Sequence, residues 1–245
     1  MLNHKLMFAM VAGGVVGVMG LAGAAEGAII DLTTPNSSGM LNGAVFQHNT
    51  EQAAGTGIYE PFVRIRMNGF EEGYNTSNND LPFDELAGIW TRDIQVQDLL
   101  TVERDGITYY DFRLDINESR GGTQSLLSLD EIQIYTSPIG SQNTTNVASL
   151  GTLRYDLDAG GDNWVKLEYE LNAGSGVGDM TLLVPVTAFA GAAPSDYVYL
   201  YSAFGTNHSS SAGFEEWAIR GVPIPAPGPL VVASLGLVLI TKRRR

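Results

Sequence analysis

The stretch Tyr109-Tyr110-Asp111-Phe112-Arg113-Leu114-Asp115-Ile116 alternates its chemistry with a period of two. Successive side chains on a β-strand point to opposite faces, so Tyr110, Phe112, Leu114 and Ile116 share one face, which predicts a strand buried on that side. Tyr109, Asp111, Arg113 and Asp115 fall on the other. Just upstream, Asp105-Gly106 separates this run from another strand-like segment, and a two-residue Asp-Gly loop demands positive φ at both positions, the signature of a type I′ hairpin. That pairing is antiparallel.

The same alternation recurs along the chain. Val165, Leu167, Tyr169 and Leu171 interleave with Trp164, Lys166, Glu168 and Glu170. Val63, Ile65 and Met67 bracket Arg64 and Arg66, and Ile132 pairs with Ile134 in the same way. Residues 181–186, 197–204 and 214–220 read as further strands. No segment between the two ends sustains a 3.6-residue apolar period, and the connections are rich in Gly, Asn, Ser and Thr, so the expected class is all-β. An antiparallel β-sandwich of jelly-roll type is the expected architecture, with a partly closed barrel as the alternative.

The chain has 245 residues, no cysteine and a formal charge of −13. Five of its 14 basic residues are Lys5, Lys242, Arg243, Arg244 and Arg245, which leaves nine against 27 acidic residues in the middle, a charge near −18. Such a surface repels phosphate backbones, so nucleic acid is an unsuitable partner. Without cysteine there is no disulfide framework and no thiol nucleophile.

The two ends differ from the middle. Residues 1–25 show Lys5, then an uncharged run, then Ala22, Gly23, Ala24 and Ala25, the three parts of a secretory signal peptide. Export through the Sec translocon and cleavage by signal peptidase are expected, with a mature start between Ala25 and Ala28. An uncleaved membrane helix is the alternative. At the other end, residues 222–245 comprise a proline-rich segment, an apolar run at 230–240 and the basic cluster Lys242, Arg243, Arg244 and Arg245. As a helix the apolar run reaches only about 16 Å, against a hydrocarbon core of about 30 Å. The extended, polyproline-like segment before it would supply the missing reach. The basic cluster would stay cytoplasmic and place residues 26–221 outside.

This layout resembles the PEP-CTERM sorting signal of exosortase-processed bacterial proteins, with Pro225, Ala226 and Pro227 at the motif position and alanine in place of the usual central glutamate. The resemblance implies a short membrane helix that tethers the exported protein at the inner membrane until an exosortase-like enzyme acts near the motif. Residues 73–76, 129–135, 198–205 and 213–219 also look like the passenger domains of some PEP-CTERM proteins. That likeness implies cell-surface or extracellular-matrix status, with exopolysaccharide as a partner, and carries over no site residues.

Three constellations suggest chemistry. Asp156, Asp158 and Asp162 surround Gly160 and Gly161 at the alternating spacing that suits calcium, although the loop lacks a bidentate glutamate at its twelfth position, Leu167. An acidic hairpin turn is the simpler reading. Tyr197, Tyr199 and Tyr201 share one face of a strand and would form a platform for stacking sugar rings, or else fill a core. Gly-Phe-Glu-Glu occurs at 69–72 and again at 213–216, so that Glu71, Glu72, Glu215 and Glu216 would make a hydrolytic acid and base only if folding joined two of them across a cleft. His48 and His208 lack metal-ligand spacing, and residues 174–178 miss the Gly-x-Ser-x-Gly elbow. The expectation is a non-enzymatic exported surface protein. A carbohydrate-binding module is the alternative, and a polysaccharide hydrolase is a further one.

Overall fold

Asp105 and Gly106 have φ values of +52° and +77°, the type I′ pattern, and the residues flanking them, Arg104 and Ile107, pair antiparallel. The computed structural model describes residues 27–49, 59–174, 178–211 and 213–220. In chain order its strands are β1 (Ile29–Asp31), β2 (Ser38–Leu41), β3 (Ala44–His48), β4 (Tyr59–Ile65), β5 (Asn68–Gly69), β6 (Glu71–Tyr74), β7 (Ile94–Gln95), β8 (Thr101–Arg104), β9 (Ile107–Asp115), β10 (Leu126–Ser137), β11 (Thr152–Asp156), β12 (Trp164–Glu168), β13 (Met180–Pro185), β14 (Tyr197–Phe204), β15 (Ser210–Ser211) and β16 (Glu215–Arg220). The helical pieces among the described residues are short 3-10 turns such as Val96–Asp98.

One sheet runs β1-β12-β10-β14-β6, with β11 also on β10 and β7 also on β14. The second runs β2-β3-β13-β9-β16-β4 and carries β8 on β9, while β5 and β15 form a small ribbon. The all-β, antiparallel expectation holds, apart from the parallel pairing of β1 with β12. Leu127, Leu129, Val198 and Phe204 of the first sheet share one buried cluster with Phe46, Phe112, Leu182 and Trp217 of the second. Trp217 Nε1 also donates to Ser202 Oγ at 3.0 Å, linking β16 to β14 across that core.

Phe112, Leu114 and Ile116 are fully buried, as their alternation requires. The opposite face of β9 departs from expectation, because Tyr109, Asp111, Arg113 and Asp115 are buried too. Asp111 and Arg113 are two residues apart on that face, so the guanidinium forks onto both carboxylate oxygens at 2.6 and 2.7 Å and also donates to Asn49 Oδ1. Paired charges can be buried where single ones cannot.

Two expected strands are shorter than their alternation. β4 stops at Ile65 and leaves Met67 exposed. β12 stops at Glu168, whose carboxylate accepts the Glu170 amide and starts a 3-10 turn over Tyr169–Leu171. Asn75 is fully buried. Its amide donates to the Val198 carbonyl at 2.8 Å and accepts the Leu200 amide at 2.7 Å, so the side chain continues the β14 ladder where β6 has ended.

The expected signal helix at 1–25, the membrane helix at 230–240, the motif Pro225, Ala226 and Pro227, and the cluster Lys242 to Arg245 lie outside the described residues. No helix among the described residues is long and apolar enough to cross a membrane.

Candidate metal centre

The two Gly-Phe-Glu-Glu segments are built alike. Phe214 and Glu216, two apart and therefore on one face, both hold Arg64: the Phe214 ring lies 4.4 Å from the guanidinium carbon, and Glu216 accepts from Nε at 2.6 Å. Trp90 covers Arg64 as well, at 4.8 Å. With that face engaged, alternation turns Glu215 inward, on the side of Trp217. In the first segment Phe70 is exposed and Glu72 accepts a hydrogen bond from the Tyr201 hydroxyl, so Glu71 is the residue that turns inward.

The inward glutamates meet where β6 and β16 begin, and Glu118, in the connection after β9, joins them. Each of the three offers a carboxylate oxygen within 4.8 Å of the others, and all three are buried, Glu71 and Glu215 completely. Two oxygens are satisfied: Glu71 Oε2 accepts the Met67 amide at 2.6 Å, and Glu118 Oε2 accepts the Ser211 amide at 2.8 Å. Among the described residues, Glu71 Oε1, Glu118 Oε1 and both oxygens of Glu215 are buried with no hydrogen bond of ordinary geometry; the Asn117 amide approaches Glu215 without completing one, and the other close neighbours of Glu215 are the carboxyl groups of Glu71 and Glu118.

Close backbone packing holds the site together. A Cβ added at Gly213 would sit 1.4 Å from the Asn117 carbonyl oxygen, so only glycine lets the strand carrying Glu215 lie against the segment carrying Glu118. The Ser119 amide also donates to Ser211 Oγ at 2.8 Å. Beside Glu118 opens a cavity of about 370 Å³, lined by Arg66, Asn117, Ser119, Ser211 and Phe214 among others.

Two other buried carboxylates, Glu85 and Asp130, are handled differently. Glu85 accepts the Tyr74 and Phe83 amides, each at 2.9 Å. Asp130 accepts from Ser128, Thr206 and Asn207. Glu215 has no comparable set of donors among the described residues. Burial first, and then the carboxylates of Glu71 and Glu118, hold Glu215 well above the ordinary range; burial also raises Glu118, against the opposing pull of Ser211. Converging carboxylate oxygens of this kind suit a hard cation.

The residues singled out from sequence are placed otherwise. Asp156, Asp158 and Asp162 do not converge: among the described residues the triad is the one group of three acids with oxygens that close. Asp156 Oδ1 accepts the Asp158 amide and Asp158 Oδ1 the Asn163 amide, each at 2.9 Å, so these carboxylates cap their own turn. Asp162 stays exposed. Tyr199 and Tyr201 are buried with Tyr74, Tyr135 and Leu150, and the half-buried Tyr197 ring covers Gly140. The Tyr199 hydroxyl donates to the Ile139 carbonyl at 2.9 Å, and burial pushes its pKa up to about 12. No stacking platform is exposed at this strand. His48 is buried, and the His208 ring lies 5.7 Å from that of Trp164 at a tilt of 54°.

Asp179 provides a separate test of burial. Its Oδ2 accepts the Ile116 amide at 2.8 Å while Oδ1 has no partner, and burial, with a smaller contribution from Asp115, raises its pKa well above the usual carboxylate value. The folded state therefore keeps a proton that the unfolded chain releases near pH 3.8. Stability from this group is full below that pH and is lost as pH rises through the folded-state value. Asp179→Asn keeps the acceptor and removes the titration. The urea midpoint of wild type minus that of the variant is expected to fall between pH 4 and pH 8; a constant difference would contradict the assignment.

Comparison with known protein families, curated proteins and solved structures gives no match to this chain.

Proposed function

We infer that this chain is a non-enzymatic exported protein of the cell surface or extracellular matrix, whose β domain is cargo and whose C-terminal segment sorts it. The observation that carries this reading is the order of parts: β1 begins at Ile29 and β16 ends at Arg220, so the paired strands lie between a signal-like segment and a PEP-CTERM-like one. On this reading the two sheets form a jelly-roll-type sandwich, held at the inner membrane by residues 222–245 and passed on by an exosortase-like enzyme. Exopolysaccharide is the matrix partner proposed.

The carboxylates favour a binding or structural role over hydrolysis. A glycosidase needs its acid and base on either side of a substrate in a cleft. Glu71 and Glu215 do meet, but both are fully buried and share their space with a third carboxylate.

Deleting residues 222–245 tests the sorting part. In the native host, the truncated chain should move from the membrane fraction to the soluble exported fraction, with a mature N-terminus between residues 25 and 28 by mass spectrometry. Retention of the truncated chain in the membrane, or an unprocessed N-terminus, would overturn the reading.

A further inference from the structure

We propose that Glu71, Glu118 and Glu215 form a calcium site that ties the two sheets together at one end of the core. Two features point to a cation beyond the clustering of acids. Glu215 is fully buried with both carboxylate oxygens unpartnered, and those oxygens face two further carboxylates that each have one unpartnered oxygen. With Glu215 ionised, four buried acceptors without donors are a large unfavourable term, since an unpaired buried charge is far less stable than a solvated one. A cation removes the deficit at a stroke.

Ligand chemistry favours Ca2+ over Mg2+: an irregular, all-oxygen set of three carboxylates suits Ca2+, whereas Mg2+ demands near-octahedral order and keeps most of its waters. Oxygens of one Ca2+ shell, at about 2.4 Å from the ion, are up to about 4.8 Å apart. The oxygens here lie within 4.8 Å of one another. The Met67 and Ser211 amides already occupy Glu71 Oε2 and Glu118 Oε2, which orients the remaining oxygen of each carboxylate toward Glu215. The cavity beside Glu118 provides an entry route and room for water ligands to complete the six to eight that Ca2+ takes.

The ion would join parts distant in sequence: the start of β6 in one sheet, and the start of β16 and the segment after β9 in the other. Its expected effect is thus on stability. A site without an EF-hand loop would bind with Kd on the order of 10⁻⁴ M. The site stands apart from the export proposal, so failure of either leaves the other intact.

The test uses the purified full-length chain, stripped with EDTA and dialysed, with thermal unfolding followed by circular dichroism. Adding 10 mM CaCl2 should raise Tm by on the order of 5–10 °C, and MgCl2 by much less. Calorimetric titration should give one Ca2+ per chain. Glu215→Gln and Glu118→Gln should each abolish most of the Ca2+ shift. Asp158→Ala should keep the wild-type shift, separating this site from the acidic hairpin. No shift in wild type, an undiminished shift in both glutamine variants, loss of the shift in Asp158→Ala, or an equal response to Mg2+ would overturn the assignment. Should one glutamine variant fail to fold, the other together with the stoichiometry decides.

Discussion

Trp217→Ala is expected to lower the unfolding free energy by about 3–5 kcal/mol, enough to shift Tm by roughly 6–20 °C in a domain of this size. Trp217 heads the fully buried side chains by volume, and it reaches from β16 toward the opposing sheet. Truncation leaves a cavity and also removes the donor to Ser202 Oγ, a buried atom of a fully buried residue. Trp217→Phe separates these two losses. It keeps most of the ring volume and should cost about 1–2 kcal/mol from the hydrogen bond, together with a smaller packing loss. Urea unfolding followed by circular dichroism measures both variants. An alanine variant within about 1 kcal/mol of wild type would mean that the two sheets do not share the core described.

Arg113→Ala should destabilise by a similar amount, about 3–5 kcal/mol, for a different reason. Its partner Asp111 has a fully buried side chain, and Arg113 itself is only 6% exposed. Removing the guanidinium strands a carboxylate in the interior and releases Asn49 Oδ1 from its donor. The desolvation of both charges is already large in the wild type, so replacing the pair together, Asp111→Leu with Arg113→Met, should cost far less than the single change. A double variant as unstable as Arg113→Ala alone would show that the loss comes from packing and not from the stranded charge.

Much of the scaffold is legible along the chain because the strand period is short and local. Phe112, Leu114 and Ile116, or Val165 and Leu167, reveal their buried face through neighbours two residues away. The Asp105-Gly106 hairpin is equally local, since the need for positive φ is a property of the turn itself. Asn42-Gly43, with φ of +49° and +84°, closes β2 onto β3 by the same chemistry and could have been read the same way.

The burial of both faces of β9 was not legible, because alternation with Asp and Arg ordinarily means one wet face. The fork between Asp111 and Arg113 makes these two charges tolerable inside. The aspartates at 156, 158 and 162 show the opposite failure: their spacing imitates a ligand set, yet Asp156 and Asp158 each give an oxygen to an amide of the same turn and Asp162 is exposed. In both cases the partners of a charge decide its role, and those partners are invisible in composition and spacing.

The carboxylate triad divides along the same line. The repeated Gly-Phe-Glu-Glu announces two matching strand entries, each with a glutamate at a position whose neighbours turn outward. Glu118 carries no comparable signal, lying in an irregular connection with nothing periodic around it. Local covalent geometry and side-chain alternation were enough to establish strands, one hairpin and the class of the fold. Which strands become neighbours, and therefore which acids 144 residues apart in sequence, Glu71 and Glu215, come to share one buried space, depends on pairings between distant segments. Those pairings follow from the joint packing of two sheets around Trp217 and Phe112, a cooperative outcome that no window of the chain contains.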